Sequence, residues 1–195
     1  DGNPVYAILH GWGISSDGGG TAITAPSASG QALALERAYH RAPYGIQDLD
    51  FIEGHGTCTT VGDRTELEAI ARVLGRAPLP RGQLRPCGIT SLKSIIGHSK
   101  AASGIGGLIK AVMAVNRRII PPLAGCREPH PLFETELATI YPVRHGHRRE
   151  PEAVIKAGVS SMGFGGINCH VALCSHDAPH PRLDPVVDES ALLAS

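Results

Sequence analysis

Residues 49–75 read LDFIEGHGTCTTVGDRTELEAIARVLG. Leu49 to Glu53 is a short apolar run with the look of a strand, and it ends at Gly54-His55-Gly56, where the chain is free to turn. Beyond the turn, Asp63 and Glu66 have the spacing of a capping box with Asp in place of Ser or Thr. Leu67, Ile70, Ala71 and Leu74 then fall on one apolar stripe, and Gly75 closes the helix. A strand, a glycine-flanked histidine loop and an amphipathic helix make one unit of an α/β fold.

The order strand, loop, helix is found on both sides, with a histidine in the downstream loop only. Downstream, Cys87 to Leu92 (CGITSL) reads as a buried strand that runs out into Lys93 and then Gly97-His98. Ser99 is placed to cap a helix whose Ile105, Leu108, Ile109 and Val112 face a core, with Gly104, Gly106 and Gly107 allowing close packing and Arg117 and Arg118 suiting its C-terminal end. Upstream, Val5 to Ile14 (VYAILHGWGI) reads as a strand and Ser15 to Thr21 as a glycine-rich turn. Ser29 is then expected to cap a helix patterned by Ala32, Leu35, Ala38, Tyr39 and Ala42, which Pro43 and Gly45 stop.

Strands alternating with helices predict an α/β layered fold with a mainly parallel sheet. The last third differs: Val154 to Met162 and Cys169 to Cys174 are strand-like runs joined by Gly163-Phe164-Gly165-Gly166, a hairpin or tight return. Beyond Ser175 the chain is proline-rich and mildly acidic, so residues 1–174 are expected to form the folded body and 175–195 a linker or tail.

Composition excludes several classes of function. Eighteen basic against eighteen acidic residues, with a pI near 7.3, leave no net field to gather nucleic acid or coat an anionic membrane. Hydrophobic content of 42% with 18% charged residues fits a folded globular chain of 195 residues. The odd count of five cysteines shows no disulfide framework and favours a reducing, cytoplasmic setting. No signal-peptide core is visible, and the longest apolar-looking stretch, Ser103 to Val115, is interrupted by Lys110. Asp1 in place of an initiator Met reads as a cut point.

His55 pairs in sequence with Cys58, and Cys169 with His170, but neither pair is joined to another at a zinc-site spacing, so no metal is expected. Gly11-Trp12-Gly13 and Gly18-Gly19-Gly20 lack the order of phosphate-binding loops.

Two histidines carry the chemistry. His55 and His98 each follow a short apolar strand, and in open α/β sheets sites gather at the carboxyl ends of strands, so one cleft can receive both imidazoles. The competing reading is a pair of loop histidines bonded to backbone. The flanks separate the two readings. EGHGTCT (53–59) followed by Gly62-Asp63, then SLKSIIGHS (91–99), then GVSSMGFGGINCH (158–170) resemble, in this order, the C-terminal half of β-ketoacyl synthase (ketosynthase) domains of polyketide and fatty-acid synthases. The resemblance runs from Val5 to Cys174. GWGISSDGGGTAITAPS (11–27), GHSKAASG (97–104) and GCREPHP (125–131) look most like iterative type I polyketide synthases of the enediyne and polyunsaturated-fatty-acid kind.

That resemblance implies the thiolase fold, two similar halves packed into a layered α/β/α/β/α body that dimerises, of which this chain would be the C-terminal half. It implies a decarboxylative Claisen condensation between a cysteine-bound acyl chain and the enolate of a malonyl thioester carried on the phosphopantetheine of an acyl carrier protein, with no cofactor bound by the chain itself. His55 and His98 would be the catalytic histidines, Lys93 an organiser of the second one, Thr57 and Thr59 contacts for the pantetheine arm, and Phe164 the gate whose backbone N–H completes an oxyanion hole. Cys58 stands where the family has Gly or Ser, placed to narrow the channel, whereas helix capping accounts for Asp63 and Glu66.

The chemistry has its own rationale. Loss of CO2 puts charge on the thioester oxygen, and two neutral imidazole N–H groups aimed at that oxygen would stabilise it. A helix N-terminus directly after His98 would keep that ring neutral. None of Cys58, Cys87, Cys126, Cys169 and Cys174 has the serine-rich turn of the family's nucleophile, so that cysteine is expected from the N-terminal half. The alternatives are a shortened non-catalytic relative that binds carrier protein or a different component of a synthase, and an unrelated α/β enzyme sharing the motifs.

Overall fold

The computed structural model describes residues 3–18, 25–77, 84–135, 137 and 139–176; part of the expected glycine-rich turn and nearly all of the expected tail lie outside them. Strand β1 (Ile8–Ser16) leads to helix α1 (Ala28–Arg41), and after a 3-10 turn at Ile46–Asp48 comes β2 (Phe51–Glu53). Helix α2 (Thr60–Leu74) and β3 (Cys87–Thr90) complete the first units. Helix α3 (Lys93–Ile96), a 3-10 turn at Lys100–Ala102 and helix α4 (Ser103–Arg117) follow. The remainder is β4 (Ile119–Ile120), α5 (Leu132–Thr135), β5 (Ile140–Pro142), β6 (His147–Arg148), β7 (Lys156–Met162) and β8 (Ile167–Cys174).

Six strands form one sheet in the order β1-β8-β7-β2-β3-β5, and β4 pairs with β6 beside it. β2 is parallel to both β3 and β7, and β3 to β5. β8 runs antiparallel to its neighbours β1 and β7, so it alone opposes the common direction. The expected hairpin is present: Gly163 N–H donates to the Ile167 carbonyl across the 163–166 turn at 2.8 Å.

Alternation along β2 builds the layers. Ile52 packs with Leu35 of α1 and Leu67 and Ile70 of α2 on one face, while Phe51 packs with Ala111 and Val115 of α4 on the other. The carboxyl ends of β2, β3 and β7 therefore emerge side by side, and His55 and His98 follow the first two.

The caps of α1 and α4 differ from expectation. Ser27 caps α1, its hydroxyl accepting Gly30 N–H at 3.2 Å, two residues before the expected Ser29. Ser99 precedes the 3-10 turn without capping it, and α4 begins only at Ser103. Helix α3 fills part of the gap between β3 and α4; its KSII sequence lacks any buried residue and therefore any apolar stripe to announce it.

Candidate active site

Both histidines reach one place. Their ring centroids lie 5.7 Å apart with an interplanar angle of 86°, edge toward face. His55 is half-buried at the end of β2, and His98 lies exposed on this chain beyond α3. Lys93 is the first residue of α3, and its Nζ sits 3.4 Å from His55 Nδ1, against the first histidine rather than the second as expected.

The hydrogen bonds settle which ring nitrogen faces outward. Met162 N–H, at the carboxyl end of β7, donates to His55 Nδ1 at 3.3 Å. Lys100 N–H donates to His98 Nδ1 at 3.0 Å, and the Ser103 hydroxyl lies 2.9 Å from the same nitrogen. A ring nitrogen that accepts a backbone N–H carries no proton, so the remaining proton of each neutral ring is on Nε2. Burial, then the charges of Lys93 and the neighbouring ring, push His55 down to about 4. His98 is also lowered, by desolvation of its packed side and by Lys93 and Lys100. Neutrality at His98 thus has a more local cause than a helix end: desolvation first, then the ammonium groups of Lys93 and Lys100.

Asp63 and Glu66 do something other than cap α2, and this corrects the sequence reading. Thr59 is the cap, its hydroxyl accepting Gly62 N–H at 3.2 Å. Buried Glu66 instead accepts His55 N–H at 2.7 Å and Gly56 N–H at 2.9 Å, and Asp63 accepts Cys58 N–H at 3.1 Å. The carboxylates of the first helical turns hold the histidine loop itself. Across the loop, the Ser91 hydroxyl of the second motif reaches the Gly56 carbonyl at 3.4 Å.

Beside the rings opens a cleft of about 710 Å³ lined by Thr57, Cys58, Lys93 and His98 on one side and by Cys126 and His130 of the GCREPHP segment on the other. Thr57 Oγ1 lies 3.1 Å from Thr59 Oγ1, so the capping hydroxyl supports the one that faces the cleft. Phe164 is 76% exposed on the turn that follows Met162, and so stands one turn away from the His55 anchor. The thiols of Cys87, Cys126 and Cys169 are pushed up by burial, away from the thiolate a nucleophile needs. Among the described residues no group of three His, Cys, Asp or Glu side chains is arranged to hold a metal ion.

Sequence reasoning missed one layer beneath the site. Glu53, two residues before His55 and 2% exposed, pairs with Lys110 of α4 at 2.9 Å and accepts Leu92 N–H. A charged residue ending an otherwise apolar strand, and a lysine interrupting an apolar helix, were the available signals.

The fold agrees with known proteins. Residues 6–127 match the model for the β-ketoacyl synthase C-terminal domain. Among relatives, the highly reducing polyketide synthase srdA of Neurospora crassa is 37% identical over all of this chain, which spans 8% of its length. A polyunsaturated fatty acid synthase chain of a Thraustochytrium species is 36% identical over 92% of this chain, which spans 6% of that protein. The solved ketosynthase from module 1 of the bacillaene synthase of Bacillus amyloliquefaciens superposes with a TM-score of 0.82 at 31% identity, covering 90% of this chain and 33% of that one. The chain belongs to the β-ketoacyl synthase family and is a ketosynthase C-terminal domain of the polyketide synthase type, with the thiolase-like fold. No described helix is long and apolar enough to cross a membrane.

Proposed function

We propose that this chain supplies the decarboxylating side of a ketosynthase active site. The observation that carries the reading is the matched pair of rings, each with Nδ1 accepting a backbone N–H and each therefore offering Nε2–H. A malonyl thioester on carrier-bound phosphopantetheine enters the cleft with its carbonyl oxygen toward both donors. The bond between the malonyl α-carbon and the carboxylate breaks, CO2 leaves, and the electron pair passes into the enolate, whose oxygen receives the two hydrogen bonds. Two neutral donors held in advance stabilise that charge without reorganising at the moment of reaction.

The enolate carbon then attacks the acyl thioester on a cysteine supplied by the N-terminal half, and the cysteine thiolate leaves as the new carbon–carbon bond completes. Phe164 gates the acyl side, its N–H donating to the second oxyanion. Thr57, backed by Thr59, hydrogen-bonds the pantetheine arm, and Lys93 holds its charge beside His55 so that this ring stays neutral. The apolar outer faces support a partner half: Trp12, Ile14 and Ile167 on β1 and β8, with Ile105 and Ile109 on α4, are exposed on this chain.

Combined with an N-terminal half, the chain is expected to release CO2 from malonyl-carrier protein. His55→Ala or His98→Ala should lower that rate by about 100-fold, the usual loss for one oxyanion donor. Unchanged release in both variants removes the assignment.

A further inference from the structure

Both histidine loops are tied to a single buried ion pair. Glu53 is the last residue of β2, so its backbone leads directly into Gly54-His55, and Gly54 N–H donates to the Thr90 carbonyl at 2.7 Å. Its carboxylate accepts the N–H of Leu92, the residue immediately before Lys93 and the α3 turn that delivers His98. Its partner Lys110 comes from α4, whose first residue, Ser103, touches His98 Nδ1. Lys110 also donates to the Thr90 hydroxyl at 2.7 Å, and that hydroxyl donates to the Pro122 carbonyl at 2.8 Å, at the start of the segment forming the far wall of the cleft. Gly107 of α4 lies against the pair; a Cβ there would come within 3.2 Å of Glu53 Cγ, so the helix approaches closely because glycine leaves room.

Burial raises the Glu53 carboxyl and lowers the Lys110 ammonium, while the attraction between them opposes both shifts and the Leu92 N–H opposes that of Glu53. A charge pair in such a place is weak evidence for stability, because well-packed apolar residues commonly replace one at no loss. Its value lies in what it orients.

We propose that Glu53 and Lys110 are positioning residues that set the spacing of His55 and His98, by fixing the Leu92 amide and the ends of β2, β3 and α4 to one carboxylate. The proposal rests on the catalytic reading of the two histidines.

Two double variants of the complete ketosynthase separate orientation from stability. Glu53→Gln with Lys110→Met removes both charges and keeps an acceptor for Leu92 N–H; Glu53→Leu with Lys110→Met removes the acceptor as well. For CO2 release from malonyl-carrier protein, the Leu double is expected to lose at least tenfold in kcat with KM within twofold, and the Gln double to recover most of that loss. The ring resonances of His55 and His98 should move in the Leu double and stay near the parent's in the Gln double. Equal kcat and unmoved histidine signals in a folded Leu double overturn the proposal. Glu53→Asp, which keeps the charge and shortens its reach, is the milder probe if the Leu double fails to fold: reduced kcat at unchanged KM supports positioning, and parental kcat overturns it. Where His98→Ala abolishes CO2 release and these variants do not affect it, the positioning role fails and the catalytic reading stands; where His98→Ala releases CO2 normally, the catalytic reading itself fails.

Discussion

Cys58 sits at φ 59°, in the left-handed region that glycine occupies freely, and its side chain is exposed. A residue with a Cβ in that conformation costs roughly 1 to 2 kcal/mol, and little packing offsets it here. Cys58→Gly is therefore expected to raise stability by about 1 kcal/mol, less the extra chain entropy of glycine, visible as a higher urea midpoint at unchanged slope. A lower midpoint would mean that the thiol makes a stabilising contact in the cleft. Lys100 has a similar backbone, φ 54°, and there the conformation serves the site, since its N–H turns back onto His98 Nδ1. Glu66 illustrates what spacing does and does not reveal. An acidic residue three after Asp63 fits a capping box, but a carboxylate entering the first turns of a helix can equally reach amides of the preceding loop, and buried Glu66 takes two of them. Sequence periodicity identifies the helix; it does not say which orphan N–H groups its acids will find.

Between elements, the closest packing is β1 on α1. A Cβ at Gly11 would meet the Ala38 carbonyl oxygen, and one at Gly13 the Ala34 carbonyl oxygen, so strand and helix touch backbone to backbone. Gly13→Ala must push the helix outward and is expected to cost about 3 kcal/mol, the upper part of the range for overpacking, measured by chemical denaturation. A loss under about 0.5 kcal/mol would show that α1 is free to shift. Helices α1 and α2 and the apolar strands were legible because burial imposes their periods: α2 ends at Gly75, β2, β3 and β7 lie within the expected runs, and β8 begins at Ile167, two residues before its expected run. On α4 the expected stripe is not the buried one: Ile105 and Ile109 are exposed, and the small residues Gly107, Ala111 and Ala114, with Val115, take the core-facing side. Residues 93–102 were not legible as two short turns. Their burial pattern has no stripe, and the chain is redirected at Gly97, φ 76°, by backbone geometry rather than by a hydrophobic face.

At the scale of the molecule, a fully buried histidine couples stability to pH. His170 bonds the Tyr39 hydroxyl of α1 through Nε2 at 2.8 Å and the Ser160 hydroxyl of β7 through Nδ1 at 2.9 Å, and burial pushes it down to about 3. The unfolded chain binds a proton near pH 6.5 that the folded one refuses, so this contribution is complete above pH 6.5 and declines as pH falls toward about 3. His55, pushed to about 4, acts in the same direction, whereas the raised carboxyls of Glu53 and Glu66 act in the opposite one. The comparison that isolates His170 is with His170→Gln: between pH 6 and 4.5 the parent should lose stability faster than the variant, by up to about 1.4 kcal/mol per pH unit. Parallel pH profiles would contradict it.

The assembly of the site was partly legible. Two strand–loop units on one sheet were enough to bring His55 and His98 to the same sheet end, because parallel strands deliver their loops there. The tautomers were not legible, since the backbone donors come from Met162 and Lys100, and only the folded path of β7 and the 3-10 turn brings those amides to the rings. That pair of uncharged Nε2–H donors is the centre of the account. Side-chain 15N spectra of the histidines at pH 7 test it most directly: both His55 and His98 are predicted neutral with the proton on Nε2, and a proton on Nδ1 or an imidazolium at either ring would contradict it.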